Sequence, residues 1–335
     1  MDSLSQLVLG AAVAALAAPR RHRRVALAAG AALGTLPDLD VIPLSLLDLD
    51  AVENMTWHRG ASHSLFLLPI GGWLLWLALK RWWCAVREAP RSWFIAIQLA
   101  LLTHPLLDAV TIYGTQLWWP LPMHPVMGGS LFIIDPLYTL PLLVGCVAAL
   151  IAPTRIGAHR VLVAGMILST VYVGWSMAAQ AWVDRLAGRE LARIGWADAP
   201  RFVTPSPLNT ILWRVVVMTP DFYLEGYHSL IADEKPIEFR AYESDTAALD
   251  ALADAPSVRR LRWFNRGFMK AETRAGQLVL SDLRMGSEPD YVFRFAVAEV
   301  DSAGGWRVIE HVPEVEWPAS KGRAAGVWTR MWNEP

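Results

Sequence analysis

The most constraining feature of this sequence is the uneven distribution of its charged residues. Residues 1–183 carry only 11 Lys and Arg and 9 Asp and Glu, whereas residues 201–335 carry 16 and 19, a balance typical of water-soluble domains. Because charged side chains are costly to bury, the first stretch favours a chain embedded in a lipid bilayer over a soluble protein with a very apolar core. We therefore predict a membrane domain over 1–184, a linker over 185–205 and a soluble domain over 206–335.

Six apolar runs divide the predicted membrane domain: Leu4–Ala18, Val25–Leu36, Ser64–Leu79, Trp93–Val110, Leu131–Ala152 and Val161–Val183. The last two are long enough to cross a bilayer, which requires about 20 helical residues. The middle two are shorter but are flanked by tryptophans, which prefer the membrane interface. For the first two, a pair of spans and a hairpin of short helices are both open. The predicted fold is a polytopic α-helical membrane domain of about five or six helices, followed by a soluble, mainly antiparallel β domain of the α+β class.

The basic residues of the membrane domain indicate its orientation. Ten of its 11 Lys and Arg lie on alternate loops, between the first and second, third and fourth, and fifth and sixth runs. The positive-inside rule places such loops in the cytoplasm, so the C-terminal domain is expected on the outer, periplasmic face of a bacterial inner membrane. The expected partner is the lipid bilayer. A formal net charge of −1 without a basic excess argues against nucleic acid.

Seven ionisable residues lie where the apolar runs meet the predicted outer face: Asp38, Asp40, His58, His63, His104, Asp108 and Asp135. An ionisable group inside a bilayer is costly unless it is paired or functional, so each is a candidate site residue. Three histidines together with several aspartates match the nitrogen and oxygen ligands of zinc or manganese sites, and paired carboxylates can bridge two ions. We predict a site for one or two divalent ions, with zinc first and manganese as the alternative.

The spacing of these residues indicates how they converge. His104 and Asp108 are four residues apart and would share one helix face, although Pro105 favours a turn at His104 instead. Asp38 and Asp40 are two apart and converge only in a turn or an extended segment. A single aspartate or histidine in such a place is often only a hydrogen-bond partner between helices, so the full set carries the metal prediction.

Two further residues are assigned to the chemistry. Asp135 is predicted as a catalytic residue, with a metal ligand and a residue that orients a ligand as open alternatives. Arg59 is predicted as a clamp for a phosphate or carboxylate group, and the alternative is an ordinary interfacial arginine.

Several short motifs resemble the YdjM-like family of membrane-bound metal-dependent hydrolases, and their order and spacing carry the resemblance. They are Met1–Ala12, Gly34–Asp40, His58–Leu65, Thr103–Asp108, Tyr113–Gln116, Ile134–Pro141 and, beyond the membrane domain, Pro205–Trp213. The resemblance implies a polytopic membrane hydrolase whose metal ligands are Asp38, Asp40, His58, His63, His104 and Asp108. Many relatives have a histidine in the opening segment where this chain has Gln6, which leaves a weaker polar candidate at that place.

The soluble domain has the pattern of a mostly antiparallel sheet. Strands are predicted at Ile211–Met218, Phe222–His228, Ile237–Tyr242, Val258–Phe264, Gln277–Leu283, Tyr291–Val300 and Trp306–His311, with one helix at Thr246–Ala255. This domain contains no cluster that suggests a second enzyme centre. We expect it to act as a lid or a substrate-docking module for the metal site.

These expectations combine into a predicted function. The chain is expected to be an integral-membrane hydrolase in which metal-activated water attacks an ester, a phosphoester before others, of a lipid or lipid-linked substrate. The predicted site lies at the depth of the lipid headgroups, and for this reason a lipid or lipid-linked substrate is expected. The alternative is a non-enzymatic metal-binding or transport protein that uses the same cluster, and a structural anchor is a third possibility. Transporters often show internal repeats, and the sequence shows none between 1–90 and 93–183.

Overall fold

The computed structural model describes residues 1–316 and 323–334, so that 317–322 and 335 of the predicted soluble domain lie outside the described residues. The chain forms two compact units. The first, here called the membrane unit, comprises Met1–Pro43 and Arg59–Met177. The second, here called the sheet unit, comprises Leu44–His58 and Ala178–Pro335.

The helices are α1 (Ser3–Ala17), α2 (Arg23–Thr35), α3 (Val41–Leu44), α4 (Ala51–Trp57), α5 (Leu67–Trp82), α6 (Cys84–Glu88), α7 (Pro90–Ala109), α8 (Pro136–Ile151), α9 (Ile156–Arg193), α10 (Thr246–Ala251), α11 (Pro256–Asn265) and α12 (Arg323–Trp332). The strands are β1 (Arg201–Pro205), β2 (Leu212–Met218), β3 (Phe222–Ser229), β4 (Phe239–Glu243), β5 (Met269–Arg274), β6 (Gln277–Asp282), β7 (Gly286–Ser287), β8 (Asp290–Tyr291), β9 (Arg294–Val300) and β10 (Trp306–Val308).

Three helical stretches of the described chain are long and apolar enough to cross a membrane, at Arg20–Leu44, Pro90–Ala109 and Ile156–Arg193. The number rises to four if the pair Ala51–His63 and Leu67–Trp82, bent by 55°, counts as one broken span. The predicted class, a helical membrane part followed by an α+β domain of antiparallel sheets, is confirmed.

The run Leu131–Ala152 does not form one spanning helix, which corrects the sequence expectation. Its helix α8 begins only at Pro136 and has 16 residues. The reason is Asp135, whose side chain accepts the amide hydrogens of Leu137 and Tyr138 and so caps the helix start. Proline at the first position, where no amide hydrogen is needed, reinforces this boundary. By contrast, α9 extends well beyond its apolar run and has 38 residues.

Helices α1 and α2 pack against each other in antiparallel fashion through glycines. A Cβ atom placed on Gly30 would lie 2.2 Å from the carbonyl oxygen of Gly10, and one on Gly34 would lie 2.5 Å from that of Gln6. No side chain fits at these positions, so glycine permits the two backbones to touch, as in the small-xxx-small contacts of membrane helices. The packing also fixes the end of α2, where the candidate site begins.

The sheet unit contains two four-stranded antiparallel sheets, ordered β1-β2-β3-β4 and β10-β9-β6-β5, and the ribbon β7-β8. The end of α9 presents Ala179, Val183, Ala187 and Leu191, spaced every four residues, to a core that includes Trp213 and Val215 of β2. Between β2 and β3, the buried Arg214 Nε donates to Glu225 Oε2 at 2.9 Å.

Two expectations for this unit are corrected. Val258–Phe264, predicted as a strand, lies within helix α11. Its buried residues Val258, Leu261 and Phe264 recur every three positions, which is the spacing of a helix face rather than the alternation of a strand. The predicted helix Thr246–Ala255 ends earlier, at Ala251. Strands β1, β5 and the two-residue β7 are not among the predicted strands.

Candidate metal centre

Four of the predicted site residues come together at one end of the membrane unit. Asp38 lies on a 3-10 turn, Leu36–Asp40, directly after α2, and His63 lies on a second 3-10 turn, Ala61–His63. His104 and Asp108 lie on one face of α7, which continues through Pro105 to Ala109, so the turn expected at His104 is absent. One ligand atom from each of the four residues lies within 4.8 Å of all the others, so the group could hold a metal ion.

The distances between these atoms are short and nearly equal. The Nε2 atoms of His63 and His104 are 3.0 Å apart. Asp38 Oδ1 lies 3.4 Å from the first and 3.3 Å from the second, and Asp108 Oδ2 lies 3.2 and 3.4 Å from them. In a tetrahedral site with bonds of about 2.0–2.1 Å, neighbouring ligand atoms are about 3.3–3.4 Å apart. The donor set therefore fits a divalent ion that accepts nitrogen and oxygen.

The second ring nitrogen of each histidine is held by a partner that leaves Nε2 as an acceptor. His104 Nδ1 donates to the backbone oxygen of Gly34 at 2.5 Å, which requires the proton on Nδ1. Ser62 Oγ donates to Asp40 Oδ2 at 2.6 Å and lies 2.9 Å from His63 Nδ1, so it accepts from that nitrogen. Both Nε2 lone pairs are consequently directed into the group. Such partners are typical of metal-binding histidines, whose orientation and basicity they set.

The carboxylate of Asp108 is fully buried, and each of its two oxygens has its own partners. Its Oδ1 accepts from Gln6 Nε2 at 2.9 Å and contacts the amino group of Met1. Its Oδ2 faces the histidines and lies 3.2 Å from Arg59 Nε. Asp38 Oδ1 is also buried and accepts no hydrogen bond within residues 1–316 and 323–334. A carboxylate oxygen with no donor is expensive in such surroundings, and a cation would satisfy it.

Arg59 is a buried cation next to this group, with a residue exposure of 5%. Its φ of 61° is in the left-handed region, which is unfavourable for a side chain as large as arginine. Its backbone is fixed on both sides, because its amide donates to Asp40 Oδ2 at 3.0 Å and its carbonyl accepts from Gln116. The guanidinium lies over the ring of Tyr113, 4.8 Å from the centroid. Its Nη1 makes no hydrogen bond in the described part of the chain.

Besides Arg59, three predicted residues are not among the four. Asp40 is bonded to Ser62 and to the backbone of Arg59, which makes it an organiser of the two turns. His58 ends α4 and belongs to the sheet unit. Asp135 caps α8 through one oxygen and accepts from Tyr172 Oη at 2.9 Å through the other. The predicted roles of these three residues, two as ligands and one in catalysis, stay predictions.

Sequence reasoning missed Ser62, Tyr113 and the backbone oxygen of Gly34. A hydroxyl directly before a candidate histidine could have been singled out as its partner. The partner at Gly34 is a backbone oxygen, which every residue has, so the sequence does not distinguish this position. Gln6 does reach Asp108, which agrees with its position as a polar candidate in the opening segment.

Comparisons with known proteins agree with the architecture. Residues 1–183 match the model of the family described as YdjM inner membrane protein. Over 97 residues the chain is 38% identical to the inner membrane protein YbcI of Escherichia coli (strain K12). The matched segment covers 28% of this chain and 51% of that protein. The chain thus spans about half the length of this curated relative. No solved structure matches.

Proposed function

Since the chain belongs to the YdjM inner membrane protein family, we propose that it is a membrane hydrolase whose metal site cleaves an ester carrying an anionic group. Asp38, His63, His104 and Asp108 would hold the divalent ion, with zinc as the first choice for this donor set. When bound, such an ion supplies a Lewis acid and lowers the pKa of a water molecule to near neutrality.

The observation that carries the proposal is the buried guanidinium of Arg59 beside the four ligand atoms. Its Nε lies 3.2 Å from Asp108 Oδ2, and Nη1 has no hydrogen-bond partner among the described residues. A site that only stores or conducts a cation is weakened by a fixed positive charge at this distance. A site that binds an anionic substrate gains from it, because a guanidinium donates two parallel hydrogen bonds to a phosphate or carboxylate. The arrangement therefore favours hydrolysis over transport.

The residues around the ligands have distinct roles in this proposal. Arg59 would bind an anionic oxygen of the substrate and stabilise the charge that develops on it. Tyr113 and the carboxylate of Asp40 keep Arg59 in place. Ser62 and Gly34 keep the two histidines neutral at Nε2 and directed inward. The general base would be a carboxylate that does not bind the ion, either Asp40 or Asp135.

The substrate class is proposed from the position of the ligands in the membrane and from the charge of Arg59. The ligands lie at helix ends and on adjoining turns, the places where a membrane protein meets lipid headgroups. A phosphoester of a lipid or a lipid-linked molecule combines an anionic group that suits Arg59 with an anchor that suits a membrane enzyme. The alternation of basic loops in the sequence supports the periplasmic side for this end.

The test separates metal binding from hydrolysis. Wild-type protein purified in detergent is expected to contain one or two zinc or manganese ions per chain by mass spectrometry. His104→Ala should lose the metal, whereas His311→Ala, which changes an exposed histidine of the sheet unit, should keep it. Arg59→Gln should keep most of the metal but lose at least tenfold in the hydrolysis of phosphoester lipids in mixed micelles.

Three outcomes contradict the proposal. Absence of stoichiometric metal in the wild type would reduce the cluster to a hydrogen-bond network. Metal uptake into vesicles that depends on His104, without any ester cleavage, would favour transport. Hydrolysis that survives Arg59→Gln unchanged would remove the argument for an anionic substrate.

A further inference from the structure

A second charged cluster lies at the basic ends of the membrane helices, where α2 and α9 begin and α8 ends. It consists of Arg23 and His159 together with Arg20, whose backbone oxygen accepts the amide hydrogen of Arg23, and we call it the basic cluster. Arg23 Nη1 donates to the backbone oxygen of Pro153 at 2.7 Å, and its Nη2 lies 3.1 Å from His159 Nδ1. The first turns of α2 and α9 are therefore adjacent, and the positive end of a helix dipole favours a negative charge at each of them.

No carboxylate neutralises this cluster within residues 1–316 and 323–334. Glu88, the one acidic residue on the three basic loops, pairs with Arg21 and His22 instead. The side chain of Arg23 is almost fully buried, at 1% exposure, and its Nε donates to nothing in the described chain. A buried guanidinium without a counter-ion is costly, and an external anion would offset that cost.

The hydrogen bonds also determine what the cluster offers to a ligand. Because Arg23 donates to Nδ1 of His159, the proton of a neutral His159 must be on Nε2, which is then a donor as well. Arg20 is exposed and His159 half-buried, so both can contact a ligand directly. Neighbouring Arg24 is occupied, since its Nε donates to the oxygen of Leu150 at the end of α8.

The surroundings of the cluster indicate a lipid rather than a free anion. Leu150, Ile151 and Ile156 lie next to it in the chain, and their exposed fractions are 50%, 71% and 53%. Aliphatic side chains this exposed at the end of a membrane helix suit contact with acyl chains. Cationic pockets between helix ends that are bordered by apolar side chains are the kind of site that binds anionic headgroups.

We propose that the basic cluster binds the phosphate of an anionic phospholipid headgroup, with Arg20 and His159 in contact and Arg23 as the buried charge behind them. This site lies at the N-terminal end of α2, whereas the turn that carries Asp38 follows the C-terminal end of the same helix. The site is therefore separate from the metal ligands. A lipid held here would join α2, α8 and α9.

The proposal is tested with full-length protein in detergent after delipidation. Phosphatidylglycerol and phosphatidylcholine are titrated separately, and bound lipid is counted by native mass spectrometry. Wild-type protein is expected to retain phosphatidylglycerol selectively. Arg20→Gln, which changes an exposed side chain and leaves the fold intact, should weaken that binding about fivefold, and Arg20→Gln with His159→Gln should weaken it further.

Arg91→Gln is the matched control, because Arg91 is an exposed arginine in the first turn of α7 and is absent from the cluster. Its affinity for phosphatidylglycerol should equal that of the wild type. Equal binding of phosphatidylcholine, or the same loss in Arg91→Gln as in Arg20→Gln, would overturn the proposal. Displacement of the lipid by millimolar inorganic phosphate would overturn the lipid assignment, since it would identify a free-anion site.

Discussion

The packing of α1 against α2 should control the metal site, and Gly30→Ala tests this connection. A Cβ atom on residue 30 would lie 2.2 Å from the oxygen of Gly10 and 2.5 Å from the Cβ of Ala14. The first obstacle is backbone, so no rotamer change relieves it. To reach an ordinary van der Waals contact, the two helices must move apart by about 1 Å.

That displacement is large compared with the tolerance of the site. The oxygen of Gly34, one turn further along α2, accepts from His104 Nδ1 at 2.5 Å. A shift of about 1 Å lengthens this bond to the limit at which hydrogen bonds fail. Loss of a partner of this kind costs about 10–100-fold in metal affinity. Overpacking itself costs about 1–3 kcal/mol of stability.

The assay measures zinc affinity by competition with a chelator of known affinity, together with thermal unfolding of the same samples in detergent. Gly30→Ala should bind zinc about 10–100-fold more weakly than the wild type. Gly71→Ala is the matched control, because a Cβ at that helical position in α5 meets nothing within 4 Å. It should leave both the affinity and the unfolding temperature unchanged or slightly higher, since alanine is the better helix former.

One result would refute the reasoning. If Gly30→Ala lowers the unfolding temperature but binds zinc as tightly as the wild type, helix packing and ligand orientation are independent. The hydrogen bond from His104 to the backbone would then have no part in metal binding.

Three further predictions concern both units. Ser62→Ala should weaken zinc binding about 10–100-fold in the chelator assay, because it removes the partner of His63 Nδ1; the unfolding temperature should stay near that of the wild type, because Asp40 Oδ2 loses the Ser62 hydroxyl but still accepts from the amide of Arg59. Glu225→Gln should destabilise the protein by about 3–5 kcal/mol in chemical unfolding, since it leaves Arg214 buried without its counter-charge; an unchanged midpoint would contradict the ion pair. Burial lowers the pKa of His228 in the folded protein, so on acidification the unfolded chain binds a proton at this residue before the folded protein does. The free energy of unfolding should therefore fall as the pH drops below about 6.5, the ordinary pKa of histidine, and His228→Gln should flatten this dependence.

The soluble fold could be predicted from the sequence where strands alternate and are bounded by turns, as in β2, β3 and β6. The pattern was misleading where β-forming residues occupy a helix, as in Val258–Phe264, because residue preference outweighed spacing. Strand β1 was missed because it is flanked by prolines and was assigned to a linker. As an edge strand of its sheet it tolerates proline, and no local rule distinguishes such a strand from a loop.

The candidate site could be predicted to the extent that it depends on side chains costly to bury. Asp38, His63, His104 and Asp108 were identified as candidates for that reason, and the structure brings all four together. The part that could not be predicted depends on backbone geometry. The oxygen of Gly34 reaches His104 only because α1 and α2 approach through glycines, and one-dimensional spacing contains no information about such a contact.

The irregular backbone around the candidate site bears on its depth in the membrane. Asp38 and His63 lie on short 3-10 turns, and the segment between α7 and α8, residues 110–135, contains no helix. Backbone groups outside helices are not tolerated next to lipid tails unless protein or water satisfies them. Part of this segment is satisfied internally, because Gln116 donates to the oxygen of Arg59 and Gly128 to that of Ala109. Tyr113 and Gln116 of this segment contact Arg59, so part of the irregular backbone lies beside the ligands at the end of the apolar helices. This construction suits the proposed site at headgroup depth, where an anionic ester would approach Arg59 while its chains remain in the bilayer.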